Sequence, residues 1–175
     1  MNKNYLERMQ KQFGDIIENP GSILVSNDEG DFWSLLEEVS FSAHRLVEIG
    51  TARGISATLL SEVADEIWTF DIEDYPIKHK IWEHFDVLEK IRHYIVEGPL
   101  EFASVIGRID FDAVFIDGNH KYEHVIVDIF LTEDCGSILF HDYHIEAIRK
   151  AIDNLVKRKG GSVTIRGKYA YWTNR

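Results

Sequence analysis

The chain has 175 residues, of which 45% are apolar and 12% aromatic, which is enough to bury the core of one domain. This composition excludes a disordered chain, a coiled coil and a collagen-like repeat. The 19 basic residues stand against 30 acidic ones, so the formal charge is −11. Such a surface repels phosphate backbones and anionic lipid, which argues against nucleic acid and membrane surfaces as partners.

The single cysteine, Cys135, cannot form an internal disulfide, which is typical of a protein in a reducing compartment. Residues 1–13 are polar and charged and do not have the apolar stretch of a secretory signal. No apolar run approaches the roughly 18 residues that a membrane span needs. The sequence therefore predicts a cytoplasmic protein.

The first part of the chain is predicted to be helical. Apolar residues recur at helical spacing over residues 4–18, and Asn19-Pro20-Gly21 is expected to end that helix. A second helix is expected to begin at Asp31, which is a plausible N-cap. We expect these helices, within residues 1–44, to pack on a core formed by residues 45–175.

From residue 46 onward the pattern alternates between apolar strands and helices. The predicted strands are residues 46–49, 67–70, 91–96, 113–116 and 137–140. The predicted helices are residues 55–63, 77–90, 100–106, 122–131 and 145–157. Two β-rich runs, 162–166 and 169–173, follow with only Gly167-Lys168 between them, which predicts an antiparallel hairpin.

This order predicts an α/β fold with a doubly wound, Rossmann-like sheet of seven strands. The sheet should be mostly parallel, with an antiparallel strand contributed by the C-terminal hairpin. Ligands bind such sheets at the carboxyl ends of the strands, near the point where the strand order reverses. The informative residues are therefore the polar ones that directly follow each strand.

The loop after the first strand contains Gly50 and Gly54, which allow a sharp turn and a close approach to a ligand. The third glycine of a dinucleotide fingerprint is missing, which argues against NAD or FAD. Asp71 ends the second strand, 21 residues after Gly50, where a carboxylate can accept both hydroxyls of a ribose. The alternatives are a tight turn without a ligand for the glycines and a helix cap for Asp71.

Asp117 and His120 follow the fourth strand, and His141 and Asp142 follow the fifth. If these strands are neighbours, Asp117, His141 and Asp142 could converge on one divalent cation. His120 would lie beside it, with a pKa suited to removing a proton. A histidine ligand suits Mn, Fe or Zn better than Mg. Capped turns are the alternative explanation of these four residues.

Three segments together resemble the class I S-adenosylmethionine-dependent methyltransferases, and most closely their small O-methyltransferases of the macrocin and catechol types. Residues 47–57 resemble the first motif of that family. Residues 115–123 resemble its signature IDGxHxYE, and residues 139–143 resemble its signature fHDY. The likeness covers roughly residues 22–175, and the three motifs occur in the right order between the right elements.

The resemblance implies a role for each candidate residue. It implies that S-adenosylmethionine is bound through its methionine part by Glu48, Gly50, Thr51 and Gly54, with Ser56 near the methionine carboxylate. It also implies that Asp71 binds the ribose, that Gly98 lies beside the adenine, and that Asp117 is a further cofactor contact. A divalent metal is implied at Asp117, His141 and Asp142, with Asp117 and His120 as the catalytic residues and His120 as the base. The sequence departs from the family at Pro99, at Asn119 and at Cys135-Gly136.

These features lead to the hypothesis of a metal-assisted O-methyltransferase that acts on a hydroxyl of a small molecule or sugar. Because the chain has almost no insertion that could cover the acceptor, we expect its pocket to be shallow or to be completed by a second subunit of a homo-oligomer. One alternative is an Fe(II)-dependent hydroxylase with His120, His141 and Asp142 as ligands. Another is a non-catalytic module that binds the cofactor or a sugar.

Overall fold

The computed structural model describes residues 5–17 and 28–174. The helices are α1 (Tyr5–Ile17), α2 (Asp28–Glu38), α3 (Ile55–Leu60), α4 (Ile77–His84), α5 (Pro99–Ile106), α6 (Tyr122–Thr132) and α7 (Glu146–Lys159). The strands are β1 (Ala43–Ile49), β2 (Ala64–Asp71), β3 (Ile91–Ile95), β4 (Ala113–Ile116), β5 (Ser137–Phe140), β6 (Ser162–Arg166) and β7 (Tyr169–Thr173). None of the described helices is both long and apolar enough to span a membrane.

All seven strands form one sheet in the order β3-β2-β1-β4-β5-β7-β6. Strands β1 to β5 pair in parallel, whereas β7 pairs antiparallel with both β5 and β6. The predicted doubly wound sheet with an antiparallel C-terminal hairpin is therefore confirmed. The strand order reverses between β1 and β4. Doubly wound sheets bind their ligands in the cleft at this point, outside the carboxyl ends of the strands.

The sheet has a core on each face, because its central strands are buried on both sides. Strands β4 and β5 are buried at every position. Alternate residues of the sheet, such as Leu46 and Phe115, pack with helices α1 to α4 on one face. Their neighbours Val47 and Val114 pack with α5, α6 and α7 on the other. Continuous apolar strands are what a parallel sheet covered by helices on both faces requires.

Three predicted helix boundaries are wrong, and one of them is the end of α3, which lies at Leu60 rather than at residue 63. Helix α2 begins at Asp28, so Asp31 lies inside the helix rather than at its N-cap. Glu29, in the first turn of the observed helix, accepts a hydrogen bond from Trp33 Nε1 at 3.1 Å. The predicted helix 77–90 is broken, because Asp86 adopts a positive φ of 56°. Helix α4 ends before this point, and a short 3-10 helix, Leu88–Lys90, follows it.

Two predictions about the N-terminal part of the chain are left open. Asn19-Pro20-Gly21 lies outside the described residues. Tyr5 and Met9 of α1 are buried in the core with α2. The division of the chain into residues 1–44 and 45–175 stays a prediction.

Candidate active site

The loops after β1 and β4 touch at Gly50. This residue has a φ of +101°, and a Cβ atom there would lie 2.2 Å from the carbonyl oxygen of Asp117. Any larger residue would therefore be strained and would also push the two loops apart. Gly50 thus joins the predicted cofactor loop to the predicted catalytic loop at the point where the strand order reverses.

Gly54 fixes the other end of the same loop, where α3 begins. It has a φ of +76°, and an added Cβ would lie 2.6 Å from Nε1 of Trp82. The same Trp82 nitrogen donates a hydrogen bond to the Gly54 carbonyl at 2.9 Å. The sequence of this loop is therefore explained partly by packing against α4.

Glu48 lies at the centre of a buried hydrogen-bond network. Its carboxylate accepts a hydrogen bond from Ser56 Oγ at 2.5 Å and another from the hydroxyl of Thr69, the residue opposite it on β2. The hydroxyl groups of Thr51 and Thr69 lie 2.6 Å apart. Burial raises the pKa of Glu48 to about 7, against the effect of the two hydroxyl donors. These side chains hold β1, β2 and α3 together behind the loop.

Asp71 connects the end of β2 to the same loop. Its Oδ2 accepts a hydrogen bond from the Ala52 backbone at 2.6 Å, and its Oδ1 accepts bonds from Ile72 and Glu73 at 2.7 and 3.1 Å. The carboxylate is half-buried, so it borders solvent beside the loop. Gly98 lies before α5 with extended backbone, and a Cβ there would meet open space.

The ends of β4 and β5 bring three predicted metal ligands together. Asp117 Oδ1 and Asp142 Oδ2 lie 3.0 and 3.3 Å from Nδ1 of His141. Asp117, His141 and Asp142 each place one potential ligand atom within 4.8 Å of the others. Strands β4 and β5 pair directly, with Ile116 opposite Phe140, and this register brings the two loops to the same edge of the sheet.

Two polar atoms of this group are shielded from solvent and have no hydrogen-bond partner among the described residues. They are Oδ2 of Asp117 and Nε2 of His141. Burying a polar atom without a partner is costly, so such atoms are expected to face a ligand. Two carboxylates and an imidazole are also a donor set that divalent metals accept. The residues present therefore fit a metal ion.

His120 and His144 lie around Asp142. Nε2 of His120 is 3.2 Å from Asp142 Oδ2 and 3.9 Å from Asp117 Oδ1, and its side chain is 42% exposed. Nδ1 of His144 is 3.5 Å from Asp142 Oδ1. His120 and His144 are thus the solvent-exposed side chains of a group whose other members, Asp117, His141 and Asp142, are mostly buried.

The charges of this group shift several pKa values. The carboxylates of Asp117 and then Asp142 raise the pKa of His120 above its usual range. Burial lowers the pKa of His141, but hydrogen bonds to the same two carboxylates outweigh this effect and raise it to about 9. Burial raises the pKa of Asp142, yet His141 holds it below its usual range.

The hairpin of β6 and β7 supports the loop after β5. The backbone nitrogen of Tyr143 donates a hydrogen bond to the carbonyl of Lys168 at 2.8 Å. The ring of Tyr169 packs against the imidazole of His141, with 4.8 Å between the ring centroids. The part of the hairpin nearest the turn therefore fixes one wall of the site.

Comparison with known proteins identifies the family. Residues 47–143, more than half of the chain, match the family described as "Methyltransferase domain". The chain belongs to this methyltransferase family. The matched region includes every candidate site residue, from Glu48 to Asp142.

Solved structures share the fold of this methyltransferase over nearly its whole length. An O-methyltransferase of Bacillus cereus in complex with SAH (S-adenosylhomocysteine) has a TM-score of 0.68 at 15% identity and covers 99% of this chain and 92% of its own. The O-methyltransferase TomG of Streptomyces achromogenes, involved in tomaymycin synthesis and solved with SAM (S-adenosylmethionine), has a TM-score of 0.66 at 15% identity and covers 99% and 89%. No curated protein matches the chain.

A third solved structure, the SAH-bound methyltransferase PaMTH1 of Podospora anserina, has a TM-score of 0.62 at 16% identity and covers 97% of this chain and 86% of its own. The chain is accordingly a methyltransferase with the fold that the sequence pattern predicted, and S-adenosylmethionine as its cofactor is part of the proposed function. The acceptor, the metal and the role of each site residue stay predictions.

Three residues that lie beside the candidate site were given no role in it by the sequence analysis. Thr69 supports Glu48, and only its place opposite Glu48 on the next strand could have indicated this. His144 follows Asp142 by two residues and contacts it. Asp128 of α6 lies 3.8 Å from the position that a Cβ of Gly118 would take, and burial raises the pKa of its carboxyl to about 7.

Proposed function

We propose that this methyltransferase transfers a methyl group from S-adenosylmethionine to a hydroxyl of a small molecule or sugar, assisted by a divalent metal. One observation carries the metal-assisted part of the proposal. Asp117 and His141 each have a shielded atom without a partner in the described part of the chain, and they lie next to a histidine, His120, that remains accessible to an acceptor. Binding atoms and an accessible base in one group are what deprotonation and attack by a hydroxyl require.

The residues Asp117, His141 and Asp142 would hold the metal. When bound there, a divalent cation would lower the pKa of an acceptor hydroxyl. Because one of the three ligands is an imidazole, Mn, Fe or Zn suits the site better than Mg. The Fe-dependent hydroxylase that the sequence also allowed becomes an outcome of the experiment below.

His120 would remove the proton from the acceptor hydroxyl. Its Nε2 is 3.2 Å from Asp142 Oδ2, and this contact aims the ring at the same edge of the sheet that holds Asp117. The imidazolium formed when His120 takes up the proton would be stabilised by the two nearby carboxylates. Asp142 therefore serves both to position the base and to bind the metal.

The cofactor would lie along the loop that Gly50 and Gly54 begin and end. Asp71 is held by three backbone donors and is half-buried, so it can offer its remaining lone pairs to ribose hydroxyls. Bound S-adenosylmethionine would supply the electrophilic methyl group. The contact between Gly50 and Asp117 would hold this methyl close to the acceptor, and such positioning provides much of the rate enhancement in bimolecular reactions.

The experiment is a methyl-transfer assay with isotopically labelled S-adenosylmethionine and a panel of catechols and sugars, with and without EDTA. We expect EDTA and Asp117→Asn each to reduce transfer by at least about a hundredfold while cofactor binding is retained. The control is Asp153→Asn, an exposed aspartate on α7. Full activity in EDTA or in Asp117→Asn would overturn the metal mechanism.

Two further outcomes would favour the alternatives. Oxygen consumption on addition of Fe(II), without methyl transfer, would identify a hydroxylase. Binding of S-adenosylmethionine without turnover on any acceptor of the panel would favour a non-catalytic module.

A further inference from the structure

A second group of metal-ligating side chains lies at the β3 edge of the sheet. It consists of Asp74 in the loop after β2, His79 on α4 and His93 on β3. Each offers one potential ligand atom, and these atoms all lie within 4.8 Å of one another. None of the three residues belongs to the site at Asp117, so we name this group the edge cluster.

His93 is placed beneath α4 by the register of the sheet. It pairs with Thr69 on β2, which in turn is the neighbour of Glu48 on β1, so the three side chains share one face. Nε2 of His93 is shielded from solvent and has no hydrogen-bond partner among the described residues. A shielded imidazole nitrogen without a partner is expected to face a ligand.

The other two members give the edge cluster access to solvent. Asp74 and His79 are exposed. The ring of His79 has its centroid 6.3 Å from that of His93, and the two planes stand at 80°. Trp82 packs against both rings, at 5.4 Å from His79 and 6.0 Å from His93, and forms an apolar wall.

Lys78 holds the carboxylate of Asp74 in place. This lysine is fully buried, and its Nζ lies 2.8 Å from Asp74 Oδ1. A carboxylate can bind an ammonium group through one oxygen and a metal through the other. The ion pair therefore orients Asp74, while the ammonium charge weakens the binding of any cation beside it.

We propose that the edge cluster is a second divalent-metal site, formed by Asp74, His79 and His93. Two imidazoles and one carboxylate suit Zn²⁺ or Ni²⁺ better than Mg²⁺. The bound ion joins α4 to the edge strand β3. Its ligand Asp74 lies three residues after Asp71, the last residue of β2. The role of the ion is therefore to stabilise this edge of the cofactor cleft.

The test is calorimetric titration of Zn²⁺ into the untagged full chain that carries Asp117→Asn and His141→Ala, which disable the first site. We expect this protein to bind one equivalent of Zn²⁺. Adding His79→Ala should weaken the affinity by at least about tenfold. His124→Ala, which removes an exposed histidine of α6, is the matched control and should change nothing.

His93→Ala in the same background should weaken Zn²⁺ binding as His79→Ala does. Because His79 is exposed, the His79→Ala variant tests the site without disturbing the core. The absorption spectrum of Co²⁺ in the site should show imidazole-dependent bands that His79→Ala abolishes. The proposal is overturned if Zn²⁺ does not bind, or if both histidine variants bind it as the parent protein does. Because no readout involves methyl transfer, the result is independent of the proposed function.

Discussion

The two halves of the cleft differ in how their polar atoms are satisfied. On the cofactor side, both carboxylate oxygens of Glu48 accept hydrogen bonds from hydroxyl groups, and Asp71 accepts three from the backbone. On the acceptor side, Asp117 and His141 each keep one shielded atom without a partner among the described residues. In the cofactor half, the carboxylates are thus hydrogen-bonded within the protein. In the acceptor half, two buried polar atoms can still bind a ligand.

This difference indicates in which half of the cleft a bound ligand should stabilise the protein most. A carboxylate already bonded to the backbone is held in one orientation, and a ligand adds to it at little cost in ordering. Unpartnered buried atoms destabilise the protein until a ligand satisfies them. We therefore expect the cofactor half to keep its shape when empty and the acceptor half to depend on its metal.

The largest effect should follow from removing the proposed base. His120→Gln should lower the rate of methyl transfer by about 100- to 10,000-fold, because general-base catalysis contributes on that scale. The rate of the parent should rise with pH through the raised pKa of His120, and the variant should lose this dependence. His124→Gln, four residues further along the chain, is the control. A pH–rate profile that His120→Gln leaves unchanged would assign the base elsewhere.

The next largest effect concerns the contact between the two halves. Gly50→Ala places a Cβ 2.2 Å from the Asp117 carbonyl oxygen at a φ of +101°, so we expect a loss of about 3 kcal/mol of stability. Thermal unfolding followed by circular dichroism measures it. Gly98→Ala is the control, since its Cβ would meet open space. Equal melting temperatures would mean that the loops can separate freely.

The cofactor half is tested by Asp71→Ala. Losing a charged hydrogen-bond acceptor for the ribose should weaken S-adenosylmethionine binding by about 10- to 100-fold. Calorimetric titration measures the affinity, with Asp153→Ala as the control. Unchanged affinity in a folded variant would remove Asp71 from the cofactor site and leave it only the role of fixing the loop.

The smallest effect is the pH dependence of metal binding at the first site. The imidazole of His141 must lose its proton to act as a ligand, and its pKa is raised to about 9. The affinity for Zn²⁺ or Mn²⁺ should therefore rise by at most about tenfold per pH unit between pH 7 and 9, and then level off. Calorimetry in buffers of different ionisation enthalpy counts the released protons. Constant affinity over this range would show that His141 is not a ligand.

Much of the fold was predictable because it depends on short-range patterns. The strands 113–116 and 137–140 are continuous apolar runs, and their predicted ends agree with β4 and β5. The predictions of an N-cap at Asp31 and of a continuous helix over residues 77–90 were wrong because helix ends depend on single backbone angles. The positive φ of Asp86, which breaks the predicted helix, has no signal in its neighbouring residues.

The site was predictable to the extent that parallel strands end at a common edge. This rule grouped Asp117, His141 and Asp142 before any contact was known. It could not reveal that Thr69 supports Glu48, since that depends on the register of β1 and β2. The edge cluster was also missed, because His93 lies within a strand and Asp74 and His79 flank a turn that brings them back to it.

The hairpin contact has a consequence for the order in which the enzyme matures. The backbone hydrogen bond between Tyr143 and Lys168, and the packing of the Tyr169 ring on His141, attach the loop after β5 to the segment that comes latest in chain order among the described residues. During synthesis, β1 to β5 can assemble before β7 exists, but β5 then lacks its antiparallel neighbour. A nascent chain should therefore acquire its cofactor cleft first and its acceptor site only when the hairpin docks.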